Sequence, residues 1–376
     1  MKKISVILFG IILLVTSCKK DNDEEDCEPT GPEYKRTEYT LQPPAYFPPF
    51  PQQIILTEEI VSLGRSLFYE KKLSGDGTQS CASCHNQAYG FSDYGNQFSE
   101  GIDGLKGDMN AMAIINLNWA NGFFWNGRSA TLEIQAIEPV INPIEMHNTW
   151  ESAINTLKGD SFYIAKFYEA FGTNDWDSTH AAEAIAQFEK TLLSGNSVYD
   201  EYNAIWEQNG GAQIVWPSPE VQRGYRIFTS EPKSVSGVAG GDCYHCHSVD
   251  NLLFTNNEFM NNGLDVNPKQ GLADVTGLST DIGKFKVPTL RNVEKTGPYM
   301  HDGRFQTLKD VVNYYNSGVN ANSPNIASIM EDSGGGVGIA DGLNLTDDEK
   351  DDLIAFLKSL TDNQFLTNPD FSDPNK

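Results

Sequence analysis

The sequence is poor in positive charge. Lysine and arginine total 27 against 51 aspartates and glutamates, a net charge of −24 over 376 residues. Phosphate backbones demand basic patches, so a nucleic-acid partner is excluded. The acid excess suits a basic protein partner, because opposite charge speeds encounter, and equally suits a plain solvated surface. Long apolar runs are scarce. The run Ile4 to Val15 is too short for an ordinary membrane-spanning helix. Strand patterns are few. What remains is an ordinary globular composition, with 39% hydrophobic and 11% aromatic residues and length for about two domains.

Lys2 and Lys3 before the apolar run, and Thr16-Ser17-Cys18 after it, make a secretory signal. Leu14 to Cys18 resembles a bacterial lipoprotein signal, cleaved before Cys18 with lipid on its sulfur. Plain soluble secretion is the alternative. Residues 1–17 are thus expected as a lipoprotein signal peptide and 18–51 as a tether, acidic to Glu28 and proline-rich from Pro29 to Pro51. That places the protein in the periplasm or cell envelope, with the membrane touched only through a lipid anchor at Cys18. Cys27 takes no role.

The other four cysteines fall in two like motifs, Cys81-Ala82-Ser83-Cys84-His85 and Cys243-Tyr244-His245-Cys246-His247. C-x-x-C-H is the signature of c-type haem attachment. Thiols one helical turn apart reach both vinyl groups of one haem, and the following His points a ring nitrogen at the iron. A disulfide across each pair leaves both histidines unexplained. A zinc site wants its CxxC pairs about 15–20 residues apart. These lie 162 apart, 243 − 81. A thioredoxin-like pair wants a βαβ context that is missing. Two covalently bound haem c groups are the expectation, with His245 incidental.

The halves echo each other. Leu63-Gly64-Arg65-Ser66-Leu67-Phe68 precedes the first motif and Arg223-Gly224-Tyr225-Arg226-Ile227-Phe228 the second. Trp125-Asn126-Gly127-Arg128 and His301-Asp302-Gly303-Arg304 follow them, each leading to Thr-Leu. Each half therefore reads as one cytochrome c unit: opening helix, haem motif, long loops, closing helix. The expected fold is mainly α, two tandem cytochrome c-like haem domains with long loops and little β. The boundaries are 52–208 and 212–362, with a break near Gly210-Gly211 and a tail at 363–376. Ser178 to Leu193 has helical spacing, and Thr346 with Glu349 caps the last helix.

With two haem units and these flanks, the chain resembles the bacterial di-haem cytochrome c peroxidase and MauG family from about Ile54 to Leu360. Three stretches carry the likeness: Phe124 to Arg128, Gln135 through Pro139 to Met146, and Val287 to Asn292 leading to Gly297 to Gly303. The resemblance implies that peroxide reacts at the N-terminal haem and that the C-terminal haem is the second redox centre. Glu145 and Gln135 would lie over the open face of the first haem, with Pro139 shaping the pocket. A carboxylate there can move a proton from the near peroxide oxygen to the far one. A solvated loop carboxylate is the plainer alternative. Trp125 would sit between the haems as an electron conduit, a role compatible with a core tryptophan. Asn110 and the carbonyls of Thr296 and Pro298 match the family's calcium site, and hard oxygen ligands suit that ion.

Two departures matter. Many family peroxidases carry a histidine in the loop after the first haem motif that blocks the iron. Here no histidine lies between His85 and Trp125. The first iron is expected to be open in every redox state. The family's peroxidases also place a methionine ligand fourteen residues after the His of the HDG motif, and fourteen after His301 is Tyr315. Leu308, Val311, Val312 and Tyr315 share one helical face, which turns Tyr315 inward. A core tyrosine, with Met300 or Met260 as ligand, is the alternative. Thioether ligation raises potential, whereas phenolate favours ferric iron. An open first haem with a His/Tyr second haem is the arrangement of MauG. Three functions stay open. The first is an oxidoreductase of cytochrome-c peroxidase type, taking hydrogen peroxide to water with electrons from a protein donor such as a small cytochrome. The second is a MauG-like oxidase acting on side chains of a partner protein. The third is a non-enzymatic di-haem electron-transfer protein.

Overall fold

Two helix crossings organise the chain, which is described here from a computed structural model covering residues 34–210, 216–232, 240–332 and 338–376. The signal segment, Cys18 and Cys27 lie outside the described residues. In the first half the helices are α1 (Glu58–Phe68), α2 (Cys81–Cys84), α3 (Leu132–Ile141), α4 (Trp150–Lys158), α5 (Ser161–Phe171), α6 (Ser178–Lys190) and α7 (Val198–Gln208). In the second they are α8 (Pro219–Phe228), α9 (Ala273–Thr276), α10 (Leu308–Ser317), α11 (Ser328–Glu331), α12 (Asp347–Lys358) and α13 (Asn363–Thr367). The sheet among the described residues is one short antiparallel pair, β1 (Phe259–Met260) and β2 (Phe285–Lys286). The mainly helical expectation holds.

The paired Gly motifs are explained by the crossings. A Cβ on Gly64 of α1 would lie 1.8 Å from the Ala184 carbonyl oxygen of α6, and one on Gly224 of α8 2.0 Å from that of Asp352 in α12. Helix backbones touch at both places, so any side chain would drive them apart. Around the first crossing Leu63, Leu67, Phe68, Ile185 and Phe188 form a core; around the second, Ile227, Phe228, Leu353, Phe356 and Leu360 do. The caps follow the sequence. Glu349 Oε2 accepts from the Thr346 N–H at 2.8 Å, and Thr346 Oγ1 from the Glu349 N–H at 3.3 Å. Helix α6 stops three residues short of Leu193, because Thr191 Oγ1 donates to the Phe188 carbonyl at 2.6 Å and turns the chain.

The halves are riveted by buried polar groups. Arg291, fully buried, pairs bidentately with Asp200 at 2.6 and 2.7 Å. Asn292 Nδ2 donates to Ser194 Oγ at 3.0 Å, and Ser194 Oγ to Asp362 Oδ2 at 3.1 Å. The Val287 to Asn292 motif is thus partly a structural hub.

Two segments depart from expectation. Residues 34–51, expected as tether, pack onto the fold: Phe47 and Phe50 flank Trp119 at 5.7 and 4.9 Å, and the Trp119 indole donates to the Pro49 carbonyl at 3.2 Å. Proline keeps this stretch extended, but its phenylalanines still gain by burial. Residues 363–376, expected as a tail, return to the first half. Phe365, Leu366 and Phe371 enter its core, and Arg65 donates to the Ser372 carbonyl at 2.6 Å.

Candidate functional site

Both haem motifs are built alike. The His85 N–H bonds to the Cys81 carbonyl at 3.0 Å, and the His247 N–H to the Cys243 carbonyl at 2.9 Å. One turn therefore sets each pair of thiols side by side. None of the four is in a disulfide. Burial pushes the Cys84 and Cys246 thiols up to about 11, and those of Cys81 and Cys243 further. A redox CxxC would instead show a depressed thiol.

The imidazoles are oriented identically. His85 Nδ1–H donates to the Phe91 carbonyl at 2.8 Å, and His247 Nδ1–H to that of Phe254 at 3.1 Å. Both phenylalanines are fully buried in left-handed backbone, φ 56° and 52°. Burial lowers both imidazoles, His247 to about 4, so each stays neutral with Nε2 free to ligate iron. Sequence reasoning missed these carbonyls. A Phe-Ser/Thr pair marks each, but it lies six residues after one His and seven after the other.

The second motif opens on a cavity lined by Cys243, Cys246, His247, Tyr315, Met300 and Met260. All three candidate ligands of the second iron are therefore brought together. Asn262 Nδ2 donates to Tyr315 Oη at 3.0 Å and lies 3.5 Å from Met300 Sδ. Cys246 Sγ lies 3.5 Å from Met260 Sδ. Burial pushes the Tyr315 phenol up, against the Asn262 contact, so a metal would be needed to hold it as phenolate.

Trp125 lines the same cavity, as do Asn110, Thr296 and Pro298. The Trp125 indole donates to the Asn110 carbonyl at 2.8 Å. His301, its partner in the internal repeat, stacks on Phe285 with centroids 3.7 Å apart.

At the first motif, burial is the main cause of the raised Cys81 and Cys84 thiols, and the charge of Glu145 adds a smaller push at both. Asn142 Nδ2 donates to Glu145 Oε1 at 2.7 Å. Burial nevertheless holds Glu145 above the ordinary carboxylate range. Gln135 and Pro139 lie half-buried on α3. Glu189 on α6 is the residue sequence reasoning overlooked. It is 3% exposed, Oε2 has no hydrogen-bond partner, and burial pushes it up to about 8. Its charge is felt at Cys81. His245 is held by the buried Asp242, and His147 and His180 pair with Asp103 and Asp177.

Unbridged neutral thiols, an oriented neutral imidazole in each half, and a cavity at the second motif fit two c-type haems. They define an oxidoreductase with two haem c groups. The family model for di-haem cytochrome c peroxidase matches residues 58–208. The chain is 30% identical over 365 residues to the methylamine utilization protein MauG of Methylorubrum extorquens, covering 95% of this chain and 93% of that one. It is 32% identical to the cytochrome c551 peroxidase of Nitrosomonas europaea, covering 84% and 83%. A solved MauG-like protein associated with microbial copper homeostasis superposes with a TM-score of 0.74 at 34% identity, covering 90% of this chain and all of that one. The chain belongs to the di-haem cytochrome c peroxidase/MauG family. These relatives are enzymes, which sets aside the non-enzymatic carrier. No described helix is long and apolar enough to cross a membrane.

Proposed function

We propose that the protein reduces hydrogen peroxide to water at its first haem: H₂O₂ with two electrons and two protons gives two waters. The observation that carries this is the half-buried Glu145 carboxyl, held by Asn142 and raised by burial, with no histidine between His85 and Trp125 to close the iron. Bound at Cys81, Cys84 and His85, haem supplies the redox iron at which the O–O bond is cleaved. Glu145 takes a proton from the near peroxide oxygen and returns it to the far one. Asn142 fixes the carboxyl, and Gln135 with Pro139 shapes the pocket. Cys243, Cys246 and His247 would hold the second haem, which would supply the redox centre for electrons from a protein donor such as a small cytochrome. Trp125 lies on the way between the halves.

Asn110 Oδ1 and the carbonyls of Thr296 and Pro298, which line the same cavity as Trp125, would hold one Ca²⁺. The Asn110 amide donates to the Asn96 and Gln97 carbonyls at 3.3 and 3.1 Å, which leaves Oδ1 uncommitted. The mature chain works in the periplasm or cell envelope, anchored through lipid on Cys18. The first haem domain is built on 52–208, with Phe365, Leu366 and Phe371 of the C-terminal segment in its core, and the second on 212–362, with 34–51 packed onto the fold.

The placing of Tyr315 in the second cavity favours one other reading, oxidation of side chains on a partner protein as in MauG. Two measurements decide. A five-coordinate high-spin EPR signal is expected in the oxidised holoprotein, and a purely low-spin first haem would refute the open site. Peroxide should drive steady oxidation of a reduced small cytochrome c. Reaction with peroxide but no such turnover would move the assignment to the MauG-like activity.

A further inference from the structure

Lys286 is an unusual lysine. It is 7% exposed, and among the described residues it is the one Lys or Arg lining the cavity of the second haem motif. Its ammonium donates to the Gly122 carbonyl at 2.5 Å and lies 5.6 Å from the centre of the Phe123 ring. No described carboxylate pairs with it, in a chain with 51 of them. A buried cation without an anion is costly, and burial alone pulls this one down to about 8. The residue is also fixed in place. Its backbone N–H donates to the Trp125 carbonyl at 2.8 Å, and β2 pairs it with Phe259 of β1.

We propose that Lys286 is a positioning residue for the second cofactor, its ammonium forming an ion pair with a propionate carboxylate of the haem attached at Cys243 and Cys246. A haem brings carboxylates into a cavity whose lining otherwise offers no permanent cation. The ammonium has three donors, and one protein oxygen takes up only one of them. The backbone N–H of the same residue holds the Trp125 carbonyl, so the cofactor's anionic edge and the inter-half tryptophan are set by one residue. The inference rests on the family assignment of haem at this motif.

Lys286→Met removes the charge at similar length. In the holoprotein, with both haems still covalently attached, the ferric form of the second haem should gain at least about tenfold, a fall in midpoint potential of about 59 mV. The propionate band in its resonance Raman spectrum should shift, and Lys286→Arg should restore most of the potential. The first haem should move less. An unchanged second-haem potential, or an equal shift at both haems, would overturn the assignment. Should Lys286→Met not fold, Lys286→Gln keeps a donor for Gly122 and carries the same test. Absence of covalent haem from the wild-type protein would instead sink the family cofactor reading.

Discussion

Trp125 and His301 meet edge to face, their ring centroids 6.5 Å apart. They are the equivalent positions of the two half-repeats, and the fold turns them toward each other. Trp125→Phe keeps the ring but loses the indole N–H that the Asn110 carbonyl accepts. Peroxide-driven cytochrome turnover should fall by at least about tenfold, about 1.4 kcal/mol of barrier. Spectra of the separate haems should stay unchanged. Full turnover in the variant would remove Trp125 from the electron path.

Glu145→Gln abolishes the proton shuttle while keeping the Asn142 contact. The rate of reaction with peroxide should drop by about 10²–10⁴-fold. In the wild-type protein the carboxylate is the active form. Its value is raised by burial, so the rate should fall as pH drops through a point above the ordinary carboxylate range. Stopped-flow traces across pH check both. The variant should lack that acid limb.

Tyr315→Met places a thioether where the phenol now lies against Asn262. The second-haem midpoint should rise on the order of 100 mV, a fraction of the ~0.8 V that axial ligands span. Spectropotentiometry reads it directly. A constant potential would pass the ligand role to Met300 or Met260.

Glu189 makes stability depend on pH in an unusual direction. Its folded value of about 8 lies above the ordinary 4.5. The unfolded chain ionises first, so the native state holds the extra proton and loses stability as pH rises between those values. Glu189→Gln removes that slope. Its stability relative to wild type should be higher at pH 8 than at pH 5, by up to about 4 kcal/mol. Denaturant titrations at the two pH values measure the difference, and equal differences would show that Glu189 is ionised in the native protein.

Much of this was legible in sequence because it is local or repeated. The C-x-x-C-H motifs, the Thr346–Glu349 cap and the Gly64/Gly224 pair each declare themselves within a few residues. Gly64 and Gly224 even fall at the contact they permit. Glu189 and Lys286 gave no such signal. One is an acid in an otherwise amphipathic helix, the other a lysine in a short strand. Only packing from distant elements shows that they are buried and short of partners. In the 34–51 stretch the prolines signal a tether, while the burial of Phe47 and Phe50 against Trp119 depends on a partner distant in sequence. For the second iron, spacing singled out Tyr315, yet folding sets two methionines in the same cavity wall.

The return of α13 to the first half carries a consequence for assembly. Phe365 enters a core whose haem histidine, His85, precedes it by 280 residues, 365 − 85. A chain threaded N-terminus first therefore holds an unfinished N-terminal core until its final stretch arrives. Covalent attachment at Cys81 and Cys84 has that interval in which to occur before Phe365 completes the packing around the first motif.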